Sequence, residues 1–180
     1  KVGSSLSVSI HRRLPWLFVN LITAFLASFT VGMFESVIAQ VVALAAAMPI
    51  VAGMGGNSGS QTLSIVIRSI ALGEVDIRKD WKFVFHEIAL GIVNGSTIGF
   101  LTGIIMYFRY HNIYLSLIIF VSMIGNLMIA GMFGFIVPLF LKKRNLDPAV
   151  SSSIFLTTAT DVGGFFIFLG LAKIFLPYLT

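Results

Sequence analysis

The sequence has no cysteine and very little charge. Only 11% of its 180 residues are Asp, Glu, Lys or Arg, whereas 57% are hydrophobic and the mean hydropathy is +0.99. The absence of cysteine excludes disulfide frameworks, thiolate metal sites and cysteine nucleophiles. The scarcity of charge, together with this hydropathy, excludes a soluble globular domain, so the composition predicts a membrane protein.

The basic residues outnumber the acidic ones, 12 against 7, which gives a net charge of +5. They do not form a patch among aromatic residues, so binding to nucleic acid is not expected. Residues 1–13 lack the apolar core of a signal peptide. We expect residues 1–180 to be a single transmembrane domain from which an N-terminal regulatory region has been removed.

Five apolar runs are long enough to cross roughly 30 Å of hydrocarbon. They cover residues 14–34, 37–56, 83–108, 113–141 and 148–179, and a weaker pattern continues the second run to about residue 72. A further crossing by residues 57–72 would bury Arg68, at considerable cost. We therefore predict an all-α membrane protein with five transmembrane helices, in which residues 57–72 form a cytoplasmic helix.

The basic residues also predict the orientation, because short cytoplasmic loops accumulate Lys and Arg. With five spans, all 12 basic residues except Arg109 and Lys173 lie on one side of the membrane. We expect that side, with the N-terminus, to be cytoplasmic, and the C-terminus to be extracellular or periplasmic. An odd number of spans without a visible internal repeat leaves any symmetry to a second chain.

One acid lies deep within a predicted span. Asp161 is roughly 20 Å into the last helix, at 1.5 Å of rise per residue. Ser153, Thr157 and Asp161 are spaced i, i+4 and i+8 and share one helix face. Hydroxyl and carboxylate oxygens suit hard cations such as Mg²⁺. A protonated Asp161 bonded to a neighbouring helix is the alternative interpretation.

A glycine-rich stretch, AGMGGNSGSQ at residues 52–61, interrupts the second apolar run. Its glycines would let another helix or a hydrated ion approach the backbone, and Pro49 frees a carbonyl oxygen one turn before itself. Irregular backbone is tolerated at membrane depth where it lines protein or water. Close packing of helices through small residues explains the same pattern, and spacing alone does not separate the two.

Four other polar residues lie within or beside the predicted spans. Glu35 ends the first span on the outer side, either as an ordinary surface acid or as part of a ring that attracts cations to a pore mouth. Glu87 begins the third span, where it can extend to the membrane interface or pair with a nearby basic residue, Lys82 or His86. Asn94 and Asn126 lie within predicted helices, where amide side chains typically hold helices together.

Two motifs resemble the membrane domain of the MgtE magnesium channels, a family related to eukaryotic solute carriers for Mg²⁺. The first, P-x-x-x-G-x-G-G-N-x-G-x-Q, begins at Pro49, and the second, T-D-V-x-G, contains Asp161. The likeness extends over nearly the whole chain. It implies a homodimer of five-helix subunits in the plasma (inner) membrane, with a cation path on the two-fold axis.

The resemblance also implies roles for individual residues. Asp161 matches the pore carboxylate that holds a largely hydrated Mg²⁺, and Gly53 and Gly56 match positions whose backbone carbonyls face the ion. Thr157 matches a pore position, and some family members carry Asn where this chain has Ser153. The predicted cation site comprises Asp161, Gly53, Gly56, Thr157, Ser153 and Asn57, with Glu35 near the outer mouth.

We therefore predict a non-enzymatic channel that passes hydrated Mg²⁺ down its electrochemical gradient, with Mn²⁺, Co²⁺ or Ca²⁺ as other ions that could occupy the site. The family usually has N-terminal cytoplasmic sensor domains, which we expect as partners in the intact protein. A proton- or Na⁺-coupled transporter that uses Asp161 is the main alternative. An intramembrane aspartyl protease would need two carboxylates at one depth, and a purely structural subunit would rarely keep one so deep.

Overall fold

The computed structural model describes residues 5–74, 81–146 and 148–180, and within these ranges it contains helices and turns but no strand. This confirms the predicted all-α class. The elements are α1 (Leu6–Gly32), α2 (Glu35–Gln40), α3 (Ala43–Leu72), α4 (Trp81–Tyr110), α5 (Ile113–Lys143), α6 (Pro148–Ile174) and a final 3-10 turn (Leu176–Tyr178). The loop at residues 75–80, which carries part of the charge used to predict orientation, lies outside the described residues.

Four helices are long and apolar enough to cross a membrane. They are α1, α4 from Lys82, α5, and α6 from Ser151. The fifth candidate is α3, whose 30 residues extend about 45 Å at 1.5 Å per residue. Its glycine-rich polar centre interrupts the apolar run, which sets it apart from these four helices.

The second predicted span contains a break between two helices. The short helix α2 ends at Gln40, Val41 has extended backbone (φ −129°, ψ 81°), and α3 begins at Ala43. From there α3 continues without interruption through residues 57–72 and ends at Gly73. This glycine adopts a left-handed conformation (φ 73°, ψ 16°), and its N–H donates to the carbonyl of Ile70 at 3.2 Å.

Helix α5 lies at the centre of the bundle, because it packs against α3, α4 and α6. Its contact with α4 is unusually close. On the α4 side, every fourth residue along one stripe is a glycine, at positions 91, 95, 99 and 103. A methyl group built on Gly91 would lie 2.6 Å from the carbonyl oxygen of Leu127, and one on Gly95 would lie 2.6 Å from Cα of Ile124. Glycine therefore lets the two backbones meet, as small residues do between membrane helices.

Helix α1 lies at the edge of the bundle and packs chiefly against α6. Among its described side chains only Ala27 and Thr30 are buried. Most of its surface is therefore left for lipid or for another chain.

Candidate functional site

The glycines of residues 52–61 form two sets that face opposite ways on α3. Gly55 and Gly59 are buried, and a methyl group there would collide with the Asn126 side chain in the first case and lie 2.6 Å from Cδ1 of Leu156 in the second. A methyl group on Gly53 or Gly56 would meet no atom within 4 Å. Close packing therefore explains Gly55 and Gly59, whereas Gly53 and Gly56 lie beside open space.

The side chain of Asn126 fixes α3 relative to α6. It is fully buried on α5, and its Nδ2 donates to the carbonyl of Val51 on α3 at 2.8 Å. Gly55 of α3 and Gly164 of α6 lie against the amide from two sides, so neither helix can carry a side chain there. The prediction that Asn94 and Asn126 hold helices together is confirmed for Asn126, whereas Asn94 is exposed on the surface of α4. The Oδ1 of Asn126 has no hydrogen-bond partner in the part of the chain that the structure describes.

The face of α3 that points away from the core is polar and open. Its members are small or carry amides and hydroxyls: Gly53, Gly56, Asn57, Ser60, Gln61 and Ser64. All are exposed except Gly56, which is half-buried. The hydroxyls of Ser60 and Ser64 donate one turn back, at 2.8 and 2.7 Å, which leaves their oxygen lone pairs free to accept. Hydrocarbon offers no partner to such groups, so this face requires water or protein.

Asp161 lies near the middle of α6 and is half-buried. Within residues 5–74, 81–146 and 148–180, nothing donates a hydrogen bond to its carboxylate or forms an ion pair with it. A bond from Asp161 to a neighbouring helix of the same chain is therefore not observed. The carboxylate is available for a ligand or for a second copy of the chain.

Contacts between α3 and α6 give the depth of Asp161 relative to the glycines. Gly59 meets Leu156, whereas Gly55 shares a neighbour on α5 with Gly164. The two helices are thus antiparallel, and Asp161 lies between the two contact levels along α6. This places the carboxylate at the level of residues 55–59 on α3, which includes one of the open glycines.

Ser153 and Thr157 have a different environment. Both line a cavity of about 470 Å³ between α1 and α6, together with Arg13, Trp16 and Asn20. The Thr157 hydroxyl donates to the carbonyl of Ser153 at 2.9 Å, so its oxygen can still accept from a ligand. Within a single chain, these two residues therefore face α1 and a guanidinium group.

Glu35 begins α2 and is exposed. The ring of the preceding residue, Phe34, packs edge-on against Phe166 with centroids 6.0 Å apart. Phe166 lies five residues beyond Asp161, or roughly 7.5 Å along the helix. Glu35 is therefore near the far half of α6 and does not belong to the cluster around Asp161.

One polar contact joins α3 and α4, and nothing in the sequence predicted that these two helices would share a hydrogen bond. The hydroxyl of Thr62 on α3 donates to Oε2 of Glu87 on α4 at 2.8 Å. Thr62 is buried and Glu87 half-buried, and Gly131 and Gly134 of α5 leave room for both. The partner of Glu87 is thus a hydroxyl group, and neither Lys82 nor His86, the two partners that the sequence offered. The one sequence feature that could have indicated this contact is the polar residue Thr62 on the buried face of α3.

A family model and three relatives all match this chain, and all four carry the same family name. Residues 48–171 match the family model MgtE, described as a divalent cation transporter. A magnesium transporter MgtE from Bacillus subtilis is 34% identical over 94% of this chain and 38% of its own length. One from Thermus thermophilus is 34% identical over 91% and 36%, and one from Enterococcus faecalis 28% over 93% and 37%. The chain therefore spans less than two fifths of the length of these relatives.

Proposed function

Because this chain belongs to the MgtE family of divalent cation transporters, we propose that it forms the conducting part of a magnesium channel, with the ion path between two copies of the chain. Magnesium is the ion named for the relatives, and the chain is a multi-pass protein of the plasma membrane. The observation that carries the proposal is the open polar face of α3 at the level of the unpaired Asp161 carboxylate.

The open face of α3 is the reason for placing the path between two copies. Exposed amides and hydroxyls are costly in hydrocarbon, so lipid does not cover this face. A two-fold axis would bring the same face of a second copy opposite it, since a two-fold interface uses the same patch twice. Water between the two faces would then satisfy the polar groups and provide a path for a hydrated ion.

The chemistry of Mg²⁺ fits the groups that such a path would contain. The ion requires octahedral geometry and gives up water reluctantly, so proteins hold it with few direct ligands. Two copies of Asp161 would match its two charges. The carbonyl of Gly53, the amide of Asn57 and the hydroxyl of Thr157 would accept hydrogen bonds from its waters. The Gly56 carbonyl accepts from the Ser60 hydroxyl at 2.8 Å and would be open to a water only after that hydroxyl turns away. Among the described residues, no three His, Asp or Glu side chains come together, and this path does not need such a cluster.

The environment of Ser153 and Thr157 refines this arrangement. Arg13 lies in the same cavity, and its positive charge disfavours a bound cation. We place the ion beside Asp161 and Gly56, with Thr157 one turn away. Ser153 contributes only if α1 moves. Glu35 lies further along the path and raises the local cation concentration at its outer end.

The direction of transport follows from the predicted orientation. If the basic side is cytoplasmic, a negative interior drives a divalent ion inward by about 4.6 kcal/mol per 100 mV, since each charge contributes about 2.3 kcal/mol. That free energy needs no coupling ion. In the intact protein, N-terminal cytoplasmic sensor domains would control the path, and the greater length of the relatives leaves room for them.

The first test is Mg²⁺ influx into liposomes that contain the purified chain, under an imposed membrane potential and without a pH gradient. We expect the wild type to conduct and Asp161→Asn to lose influx. Glu74→Gln, which changes an exposed acid just beyond the end of α3, is the matched control and should conduct normally. Normal influx through a correctly folded Asp161→Asn would contradict the assignment.

The same liposomes separate a channel from a coupled transporter. Influx that follows the membrane potential alone supports the channel. Influx that appears only with a proton or Na⁺ gradient would instead support coupled transport through Asp161. Competition by Mn²⁺, Co²⁺ and Ca²⁺ in this assay measures which other ions enter the site.

A further inference from the structure

A groove of about 600 Å³ lies between α1, α5 and α6, on a different side of α6 from the cavity that contains Ser153 and Thr157. Its walls are apolar and include Leu26, Phe133, Phe140, Phe155, Ala159 and Val162. Among the described residues, the one polar lining side chain is Thr158, whose hydroxyl donates to the carbonyl of Ile154 at 2.7 Å. The groove therefore offers no free hydrogen-bond donor to a polar ligand, and its walls suit an apolar chain.

The dimensions of the groove match one leaflet of a membrane. Its lining extends along α5 over residues 129–141 and along α6 over residues 155–163. Thirteen and nine residues of helix extend about 20 and 14 Å, and one leaflet contributes about 15 Å of hydrocarbon, half of the usual 30 Å. The volume lies within the range of small-molecule sites, about 300–1,000 Å³.

One end of the groove is basic. Lys142, Lys143 and Arg144 directly follow the lining residues Phe140 and Leu141, and all three are exposed. The guanidinium carbon of Arg144 lies 5.4 Å from the centroid of the Phe140 ring. A positive charge therefore sits against a wall of the groove, where its fork of donors can bind a phosphate group.

The structure has a second apolar groove of similar volume, so volume alone does not distinguish the groove between α1, α5 and α6. It has about 530 Å³ between α4 and α5 and is lined by residues such as Phe100, Tyr107 and Phe120. The nearby Arg109 lies over the ring of Tyr110, 5.8 Å from its centroid, and Tyr110 does not line that groove. Only the first of these two grooves has a basic cluster at its end.

We propose that the groove between α1, α5 and α6 binds one acyl chain of an anionic phospholipid, whose phosphate headgroup is bound by Lys142, Lys143 and Arg144. Burial of the acyl chain supplies affinity through apolar area, and the basic cluster supplies selectivity for negative headgroups. The lipid would link α1 to α5 and α6 at the edge of the bundle.

The test measures which lipid remains bound to the purified chain. The protein is equilibrated in detergent with equal amounts of phosphatidylglycerol and phosphatidylcholine of identical acyl chains, and the retained lipids are quantified by mass spectrometry. We expect the wild type to retain phosphatidylglycerol preferentially. The triple variant Lys142→Gln, Lys143→Gln, Arg144→Gln should lower this preference by about tenfold or more. The matched control, Arg109→Gln with Lys173→Gln, should keep it.

A second variant tests the groove itself. Ala159→Leu fills part of the groove and should reduce retention of both lipids, whereas Ala89→Leu on the exposed surface of α4 should not. Unchanged retention by Ala159→Leu would show that the groove does not bind the acyl chain. Displacement of the lipid by the free headgroup glycerophosphoglycerol would show that the site binds only the phosphate group, and it would likewise contradict acyl-chain binding. An unchanged preference in the triple variant would overturn the headgroup site. None of these outcomes depends on Mg²⁺ conduction.

Discussion

At the scale of single residues, one glycine position can be essential for packing while a position two residues away is open. Gly55 lies against Asn126, so a methyl group there would force α3 and α5 apart. Gly53 points to the opposite side of α3 and would meet no atom. The two positions have the same residue type and the same helix, so any difference between their variants reports on the environment alone.

We therefore predict that alanine at these two glycines has different effects on stability. Alanine favours helix over glycine by about 1 kcal/mol, but overpacking a full interior costs about 1–3 kcal/mol. Gly55→Ala should lower the thermal unfolding temperature in detergent, whereas Gly53→Ala should leave it equal or raise it. Gly53→Ala should reduce Mg²⁺ influx nonetheless, because it narrows the proposed path. Equal unfolding temperatures for the two variants would show that the side chains around Gly55 rearrange to accommodate the methyl group.

Sequence reasoning predicted the depth of Asp161 because that depth requires only counting residues along one helix. It could not assign the glycines to packing or to the open face, since the answer depends on which helix lies opposite each of them. For the same reason it grouped Ser153 with Asp161 by spacing, while the structure places Ser153 beside α1.

At the scale of helices, the hydrogen bond from Thr62 to Glu87 joins the second half of α3 to the start of α4. This is the half of α3 that follows the open glycines. Hydrogen bonds between membrane helices contribute about 0.6 kcal/mol on average and up to about 1.7 kcal/mol. The bond is therefore a modest but specific constraint on where α3 lies.

Substitutions of Glu87 should separate the hydrogen bond from the charge. Glu87→Gln keeps an acceptor for the Thr62 hydroxyl and should unfold at nearly the wild-type temperature. Glu87→Leu removes the acceptor and should lower the free energy of unfolding by roughly 0.5–2 kcal/mol. A double-mutant cycle with Thr62→Val checks the pair. Additive losses would mean that the two side chains do not interact.

The break between α2 and α3 is a feature that the hydropathy pattern does not predict. Residues 37–39 are apolar like the run that follows Gln40, so the pattern predicts one span from residue 37. The structure instead separates α2 from α3 at Val41, whose extended backbone no composition signal marks. The long helices, in contrast, agree with the apolar runs in the sequence. Runs of that length are too long for strands, so they predict helices directly.

At the scale of the whole molecule, our proposal covers the open face of α3 with water and a second copy of the chain. The absence of cysteine makes this directly testable, since each introduced cysteine is the only one present. We predict that Ser64→Cys, on the open face, is cross-linked into dimers by a short bifunctional maleimide in native membranes. Val93→Cys, on the exposed surface of α4, should stay monomeric under the same conditions. Equal cross-linking at both positions would indicate random collision and would contradict the proposed two-fold axis.

The contact of Asn126 with Gly55 and Gly164 has a consequence for how this sequence can change over time. Three residues on three helices share one volume, so an added methyl group at either glycine is tolerated only after the amide becomes smaller. Mutations at these positions should therefore be epistatic, with Asn126→Ser rescuing Gly164→Ala although each alone is harmful. A library randomised at the three positions and selected for magnesium-dependent growth should return correlated residue sets, never independent ones.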